Sequence, residues 1–322
     1  MTALYITCAT ILGVTLVYFI FTLVCFLLVF YSPKRKPPGE NEYEIPKGDI
    51  YEIFRDDMIR WQSDIRKMPH KGYEIKSFDG LTLRANFYEY KKGAPIEILF
   101  HGYRGSAHRD LCGAVHRCFH LGRSALIVDH RASGESDGHV ITFGIKERRD
   151  ALGWIDLVIR EFGDDIKIMI TGISMGAATV MMTLNEPLPK NVVAVLADCG
   201  YTTPKEIISK VLCDLHLPAA IFYPTIRLGA RIFGGFDLEE VTALEGVEKS
   251  ALPIIFIHGT GDDFVPSEMS ERLYEKSIAK HKAIALFPDV GHGLAFPASQ
   301  ERYYEELSAF TDKAGVFEDT KV

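Results

Sequence analysis

Charge is missing from the start of this 322-residue chain: no Asp, Glu, Lys or Arg occurs from Ala3 to Tyr31. Leu, Ile, Val and Phe dominate there, and the run exceeds the roughly 20 residues needed to cross a ~30 Å hydrocarbon core. A cleaved secretion signal fits poorly, because no basic residue precedes the run, the run is too long and no A-x-A site follows. Cysteine pattern is missing as well. Cys8 and Cys25 sit in the apolar start, while Cys112, Cys118, Cys199 and Cys213 are scattered without C-x-x-C spacing. That argues against a disulfide framework and points to free, mostly buried thiols in a reducing compartment. No metal-ligand cluster is visible in the sequence. Basic excess is absent too: 36 Lys and Arg face 43 Asp and Glu, a net charge of -7, which disfavours a nucleic-acid partner. Neither an internal repeat nor a low-complexity tract is present.

What the chain does contain begins with Lys34, Arg35 and Lys36 immediately after the apolar run. The positive-inside rule then predicts a single-pass protein of the cell membrane with its C-terminal side in the cytoplasm. Pro33, Pro37, Pro38 and Gly39 make a short, stiff connector. Between 49 and 68, Ile50, Phe54, Met58, Trp61, Ile65 and Met68 recur at helical spacing and predict a helix packed on the domain.

Eight strand candidates follow: Tyr73 to Phe78, Thr82 to Tyr90, Ile96 to Phe100, Ala125 to Asp129, Lys167 to Thr171, Val192 to Ala197, Ile254 to His258 and Ala283 to Phe287. Asp79-Gly80 signals a hairpin between the first two. From the third onward helix-length segments intervene, which implies right-handed crossovers and a mostly parallel sheet covered on both faces. One connection, from about Pro204 to Val247, is too long and too apolar for a crossover. Insertions of that kind are often lids or pocket walls. The expected division is therefore an anchor at 1–32, a juxtamembrane linker at 33–48, a core at 49–203 and 249–318, and a helical lid at 204–248. In that lid Phe222, Tyr223 and Ile226 are the expected pocket residues.

The chemistry is concentrated in three loops. Gly172-Ile173-Ser174-Met175-Gly176 lies between a β-branched apolar run and a helix-like run, the setting of a nucleophile elbow. A serine hydroxyl is a poor nucleophile at neutral pH and needs a base that is itself oriented by a third group. His292 follows the last strand between two glycines and is the expected base. For the acid, Asp262, Asp263 and Asp198 compete, and spacing favours Asp262, with Asp263 as a solvated or loop-capping carboxylate. All three groups would emerge at the edge of the sheet where open α/β folds build their sites. An oxyanion needs backbone N–H donors, expected from Met175 and from Tyr103 in the loop His101-Gly102-Tyr103-Arg104-Gly105-Ser106. Asp129-His130-Arg131-Ala132-Ser133-Gly134-Glu135-Ser136 reads as a brace of the site rim, with Arg131 as its ion-pair anchor.

From about residue 70 to 312 the chain resembles the α/β-hydrolase superfamily, with H-G-Y-R-G-S, D-H-R-A-S-G-E-S, G-I-S-M-G, H-G-T-G-D-D-F-V-P and G-H-G in that order. Within it the chain is most similar to the membrane-anchored branch of Bem46-like and ABHD-type hydrolases and to bacterial serine aminopeptidase-like hydrolases. The brace departs mildly from the pattern at Ala132-Ser133, and Asp262-Asp263 doubles the acid. The resemblance implies hydrolysis without a cofactor or metal. The resulting expectation is an eight-stranded, mostly parallel α/β-hydrolase sheet with a helical lid, preceded by one transmembrane helix. It would cleave small-molecule or lipid-like carboxylic esters through an acyl-enzyme. A peptidase of the prolyl oligopeptidase type is the alternative, ahead of an acyltransferase or a non-catalytic module.

Overall fold

A computed structural model describes residues 1–34, 39 and 42–317. Arg35, Lys36, Pro37 and Pro38 of the expected connector lie outside the described residues, as does the last position of the expected core, 318. Three helices come first: α1 (Thr2–Phe30), α2 (Asp49–Glu52) and α3 (Arg55–Lys67). The sheet opens with β1 (Lys71–Lys76) and β2 (Thr82–Tyr88), an antiparallel pair joined by a turn in which Gly80 has φ 91°. Ser77 Oγ donates to Asp79 Oδ1 at 2.7 Å and accepts from Leu81 N at 2.8 Å, which closes that turn.

Next come β3 (Ile96–Phe100), β4 (Ser124–Val128), β5 (Ile168–Ile173), β6 (Val192–Asp198), β7 (Ile254–Gly259) and β8 (Lys282–Phe287). The order is β1-β2-β4-β3-β5-β6-β7-β8, antiparallel at β2/β4 and parallel from β4 to β8. All eight expected strands are present, with ends shifted by one or two residues. Helices α4 (Ala107–Asp110) and α5 (Cys112–His120) join β3 to β4, α6 (Glu147–Phe162) joins β4 to β5, and α7 (Met175–Thr183) joins β5 to β6.

The long connection after β6 holds α8 (Pro204–Asp214), α9 (Ala219–Gly229), a π-helical turn (Ala230–Gly234) and α10 (Ala243–Lys249). Its boundaries are written into the sequence. Thr203 caps α8 by accepting from Glu206 N, with Pro204 at the first helical position, and Thr242 with Glu245 forms a full capping box on α10. Helices α11 (Glu268–Lys276), α12 (Ala295–Ala298) and α13 (Gln300–Ala314) complete the chain as described.

Strand side chains alternate between two cores. Ile96, Ile98 and Phe100 pack on one face with Trp154 of α6 and Met181 of α7; Leu99, Ala125 and Ile127 pack on the other with Trp61, Val115 and Leu307. Met58, Trp61 and Ile65 of α3 are buried, so the stripe at 49–68 does pack on the domain.

The end of α1 belongs to the first core. Phe26 is 5% exposed and Phe30 fully buried, with Phe30 ringed by Phe236 at 5.3 Å and Phe143 at 5.8 Å. Immediately after it, Ser32 N donates to His139 O at 2.8 Å, and Ile141 N donates to Phe30 O at 2.9 Å. The segment 1–32 expected as the anchor thus meets the core at its C-terminal end. The helix is long and apolar enough to cross a membrane, and one face of its last third, carrying Cys25, Phe26 and Phe30, is part of the domain core.

Candidate active site

Ser174 stands between β5 and α7 with φ 55° and ψ -116°, a left-handed backbone that non-glycine residues rarely adopt. Its neighbours explain how the turn closes. A Cβ on Gly172 would lie 2.1 Å from the Gly176 backbone, and one on Gly176 would lie 2.0 Å from Phe100 O. Only glycine lets strand, turn and helix come this close. Ser174 N donates to Asp198 O at 2.8 Å, which fixes the turn to β6.

The structure brings Ser174, His292 and Asp262 together although they are 118 and 30 positions apart in sequence. His292 Nδ1 lies 2.6 Å from Asp262 Oδ2, and His292 Nε2 lies 2.8 Å from Ser174 Oγ. Because the carboxylate only accepts, Nδ1 carries the ring proton, and Nε2 accepts from the serine hydroxyl. Phe264 packs edge-on to the imidazole at 5.1 Å.

Asp262 is held from four sides. Oδ1 accepts from Phe264 N at 2.9 Å and Val265 N at 2.8 Å; Oδ2 faces His258 Nε2 at 3.1 Å as well as His292. Burial opposes its charge, but the hydrogen bonds from His258 and His292 outweigh burial and hold the carboxyl well below the usual carboxylate range. His258 is fully buried, with Ser270 Oγ 2.6 Å from its Nδ1 and Val265 O 2.8 Å from its Nε2. Its Nε2 thus carries the proton. Sequence reasoning gave His258 no role; the available signal was a polar residue ending the wholly apolar strand β7.

This carboxyl sets a pH dependence with a definite sign. An unfolded aspartate titrates near about 3.9, above the native value. The stabilisation is therefore complete above about pH 4 and is lost as pH falls toward the native value. Asp262→Asn should be less stable than the parent at neutral pH, and that gap should narrow below about pH 4. Thermal unfolding followed between neutral and acid pH checks this; a gap independent of pH would contradict it.

The other two acids fall elsewhere. Asp198 Oδ2 accepts from Tyr303 OH at 2.9 Å, and burial pushes its carboxyl up. Asp263 is exposed, and its backbone carbonyl accepts from Lys210 Nζ. Of the three aspartates, it is Asp262, the one that spacing favours, whose carboxylate lies beside the His292 ring. Cys199, with φ 46° at the end of β6, brings a buried thiol within 4.8 Å of the Asp262 and His292 side chains. Burial pushes that thiol well up, so it is a neutral neighbour.

Met175 is the first residue of α7, so its N–H has no partner within the helix. A Cβ on Gly102 would lie 3.5 Å from the Ser174 Cβ, so the loop carrying Tyr103 runs close beside the serine. Two side chains of that loop, Tyr103 and Arg104, reach α1. Tyr103 OH donates to Val29 O at 2.6 Å, and Arg104, at φ 53°, donates to Leu28 O at 2.8 Å and Tyr31 O at 3.1 Å. These are carbonyls that a helix C-terminus leaves without intrahelical partners. Arg131 forms ion pairs with Asp150 at 2.7 Å and Asp79 at 2.8 Å, and none of the three lines the cavity at Ser174.

A cavity of about 710 Å³ opens at Ser174 and His292. Ile50, Tyr51, Met58, Trp61, Phe264 and Phe296 are among the residues that line it, with the Trp61 and Phe296 rings 5.4 Å apart. Tyr51 OH donates to His292 O at 3.1 Å, so the wall is tied to the histidine loop. The expected pocket residues Phe222, Tyr223 and Ile226 are not among the cavity's lining residues. Phe222 meets Phe21 of α1 at 5.7 Å, Tyr223 OH lies 3.1 Å from Glu239 Oε1, and Ile226 is buried in the first core. The apolar surplus of 204–248 was real, but its partner is the N-terminal helix. Pro46 to Gly48 of the expected linker and Ile50, Tyr51, Met58 and Trp61 of the stripe read as packing on the domain line the cavity instead.

The sequence pattern of the prolyl oligopeptidase family matches residues 143–315, more than half of the chain, and that stretch carries Ser174, Asp262 and His292. The chain belongs to the prolyl oligopeptidase family. This family member is 27% identical over 199 residues to the uncharacterized protein YqkD of Bacillus subtilis, 62% of this chain and 65% of that one. It thus spans just under two thirds of that relative's length. It is 24% identical over 232 residues to the protein bem46 of Schizosaccharomyces pombe, 70% of this chain and 71% of the relative. In fold it is similar to an esterase of Pyrococcus furiosus, with TM-score 0.65 at 18% identity over 88% of this chain and 98% of the other. It is also similar to the acylaminoacyl peptidase of Pyrococcus horikoshii, with TM-score 0.56 at 19% identity over 77% of this chain and 42% of the other. Family and neighbours share the α/β-hydrolase fold expected from the motifs.

Proposed function

We propose that the protein is a membrane-anchored serine hydrolase that cleaves carboxylic esters through an acyl-enzyme. The observation that carries this reading is the unbroken relay from Ser174 Oγ through His292 to Asp262 at the mouth of a largely apolar cavity. Ser174 Oγ attacks the ester carbonyl as His292 Nε2 takes its proton, and Asp262 stabilises the imidazolium. The Met175 and Tyr103 N–H groups hold the oxyanion. His292 returns the proton to the departing alcohol, then takes one from water, whose oxygen attacks the acyl carbonyl and frees Ser174. Wall residues Ile50, Met58, Trp61 and Phe296 suit an acyl chain or another apolar acid.

Peptide cleavage is a second reading, because Asp49, Asp110 and Asp263 line the same cavity and a carboxylate can grip a substrate's amino terminus. Asp110 is already neutralised by Arg109 at 2.6 Å, which favours esters. The full chain in detergent should label with a fluorophosphonate and turn over p-nitrophenyl esters faster than aminoacyl-anilides. Faster anilide cleavage would replace the ester reading with the peptidase one.

Helix α1 is the proposed span, and Lys34 to Lys36 put the catalytic domain in the cytoplasm. A reporter fused after Val322 should be active only on the cytoplasmic side; activity outside would reverse the orientation.

A further inference from the structure

Two apolar helices of this chain meet crosswise. Every residue of α1 up to Phe21 is exposed, and Thr22 is the first buried one. Tyr18 OH lies 3.2 Å from Thr225 Oγ1, the Phe19 ring 5.3 Å from Phe233, and the Phe21 ring 5.7 Å from Phe222. Phe222 and Phe233 are separated by about 16 Å of helical rise, yet the partners of Phe233 on α1, Phe19 and Phe26, fall on either side of Phe21, the partner of Phe222. Thus α9 and the π-helical turn lie across α1 and not along it.

The level of that crossing is set by length. From Thr2 to Phe21 the helix rises about 30 Å, the thickness of a hydrocarbon core. A typical tilt of about 20° shortens the projection and draws the crossing deeper. The outward side of the crossing helix suits such a place. Pro218, Ala220, Ile221 and Pro224 are exposed on α9, with Ile221 63% exposed, and Ile232 in the following turn is 51% exposed. No charged residue occurs from Leu215 to Ile226. The first ones after it, Arg227 and Arg231, share the Asp237 carboxylate at 2.7 Å and 2.5 Å. Such long cationic side chains keep their heads at the polar side of a membrane boundary.

We propose that α9 and the turn Ala230–Gly234 form an in-plane membrane helix, with Ile221 and Ile232 inserted in bilayer lipid beside the span. Bilayer lipid is the occupant of this face because the face continues the lipid-exposed surface of α1. The inference rests on reading α1 as a span, and its test separates the two. Single nitroxide labels are placed on the full chain in phosphatidylcholine–phosphatidylglycerol vesicles. One is at native Cys8 in a Cys213→Ser background; the others are at Ile221→Cys or Ile232→Cys in a Cys8→Ser, Cys213→Ser background. Labels at 221 and 232 should show an oxygen-to-nickel accessibility ratio several-fold above that of the free label, as should the label at Cys8. Ile221→Trp in vesicles of bromine-labelled phosphatidylcholine should likewise be quenched relative to unlabelled lipid. A water-like ratio at 221 and 232 with a lipid-like ratio at Cys8 would leave the span standing and overturn the in-plane helix. Shielding of 221 and 232 from both reagents would mean that a second copy covers the face, and would overturn it too. A water-like ratio at Cys8 would remove the span and this inference with it.

Discussion

Ser174→Ala should fold as the parent does and lose on the order of 10⁶-fold in kcat toward esters, along with all fluorophosphonate labelling. The fold should survive because the substitution removes one oxygen and leaves the backbone that defines the turn. Ser174 N still bonds Asp198 O, and the glycine contacts at 172 and 176 involve no part of the hydroxyl. The loss should be near the maximum available because, in the proposed mechanism, the hydroxyl oxygen forms the acyl bond. His292→Ala should cost a similar factor, and the double variant should be little worse than either single one, since members of a relay fail as a unit. Steady-state kinetics on the three variants tests this. Losses that multiply, or retained labelling of Ser174→Ala, would mean that another residue is the nucleophile.

The second large effect concerns the anchor. A soluble piece beginning at residue 40 should be far less stable than the full chain and prone to aggregate. Removing α1 takes Phe26 and Phe30 out of the first core and bares Phe143, Phe233 and Phe236, which pack against them. Phe30→Ala alone should cost about 3–5 kcal/mol, the range for a buried phenylalanine. Against a total stability of about 5–15 kcal/mol that is a large share. A piece beginning at Tyr18 keeps the docked part and should melt close to the full chain. The same cut reaches the chemistry, because Tyr103 and Arg104 are pinned by α1 carbonyls. Tyr103→Phe breaks one such pin, worth about 1 kcal/mol, and should lower kcat by up to about five-fold with little change in KM. Thermal melts of the pieces and kinetics of Tyr103→Phe check both halves. Equal melting of all three forms would show that α1 is a passive tether.

The sheet and the central relay were legible because local rules decide them. From β3 onward each strand is a short apolar run set off by helix-length segments, and the turn at Ser174 needs glycine at 172 and 176. The choice of Asp262 over Asp263 followed from position, and the paired amides of Phe264 and Val265 explain it physically. What was not legible depends on which apolar surface meets which. Phe222 and Tyr223 look the same in sequence whether they face a substrate or another helix, and only the three-dimensional path of α1 decides. Tyr51 gave no signal for the same reason: its hydroxyl finds the His292 carbonyl through a contact spanning 241 positions. His258 was hidden because a buried histidine beside an acid resembles any polar strand end.

The stitching of Ser32 to His139 and of Phe30 to Ile141 has a consequence for turnover in the cell. Proteolytic nicking of the connector between Ser32 and Gly48 would not shed the hydrolase, since the severed helix stays clamped by its own phenylalanines. The nicked protein would persist as a two-fragment complex, and separating the fragments would require unfolding.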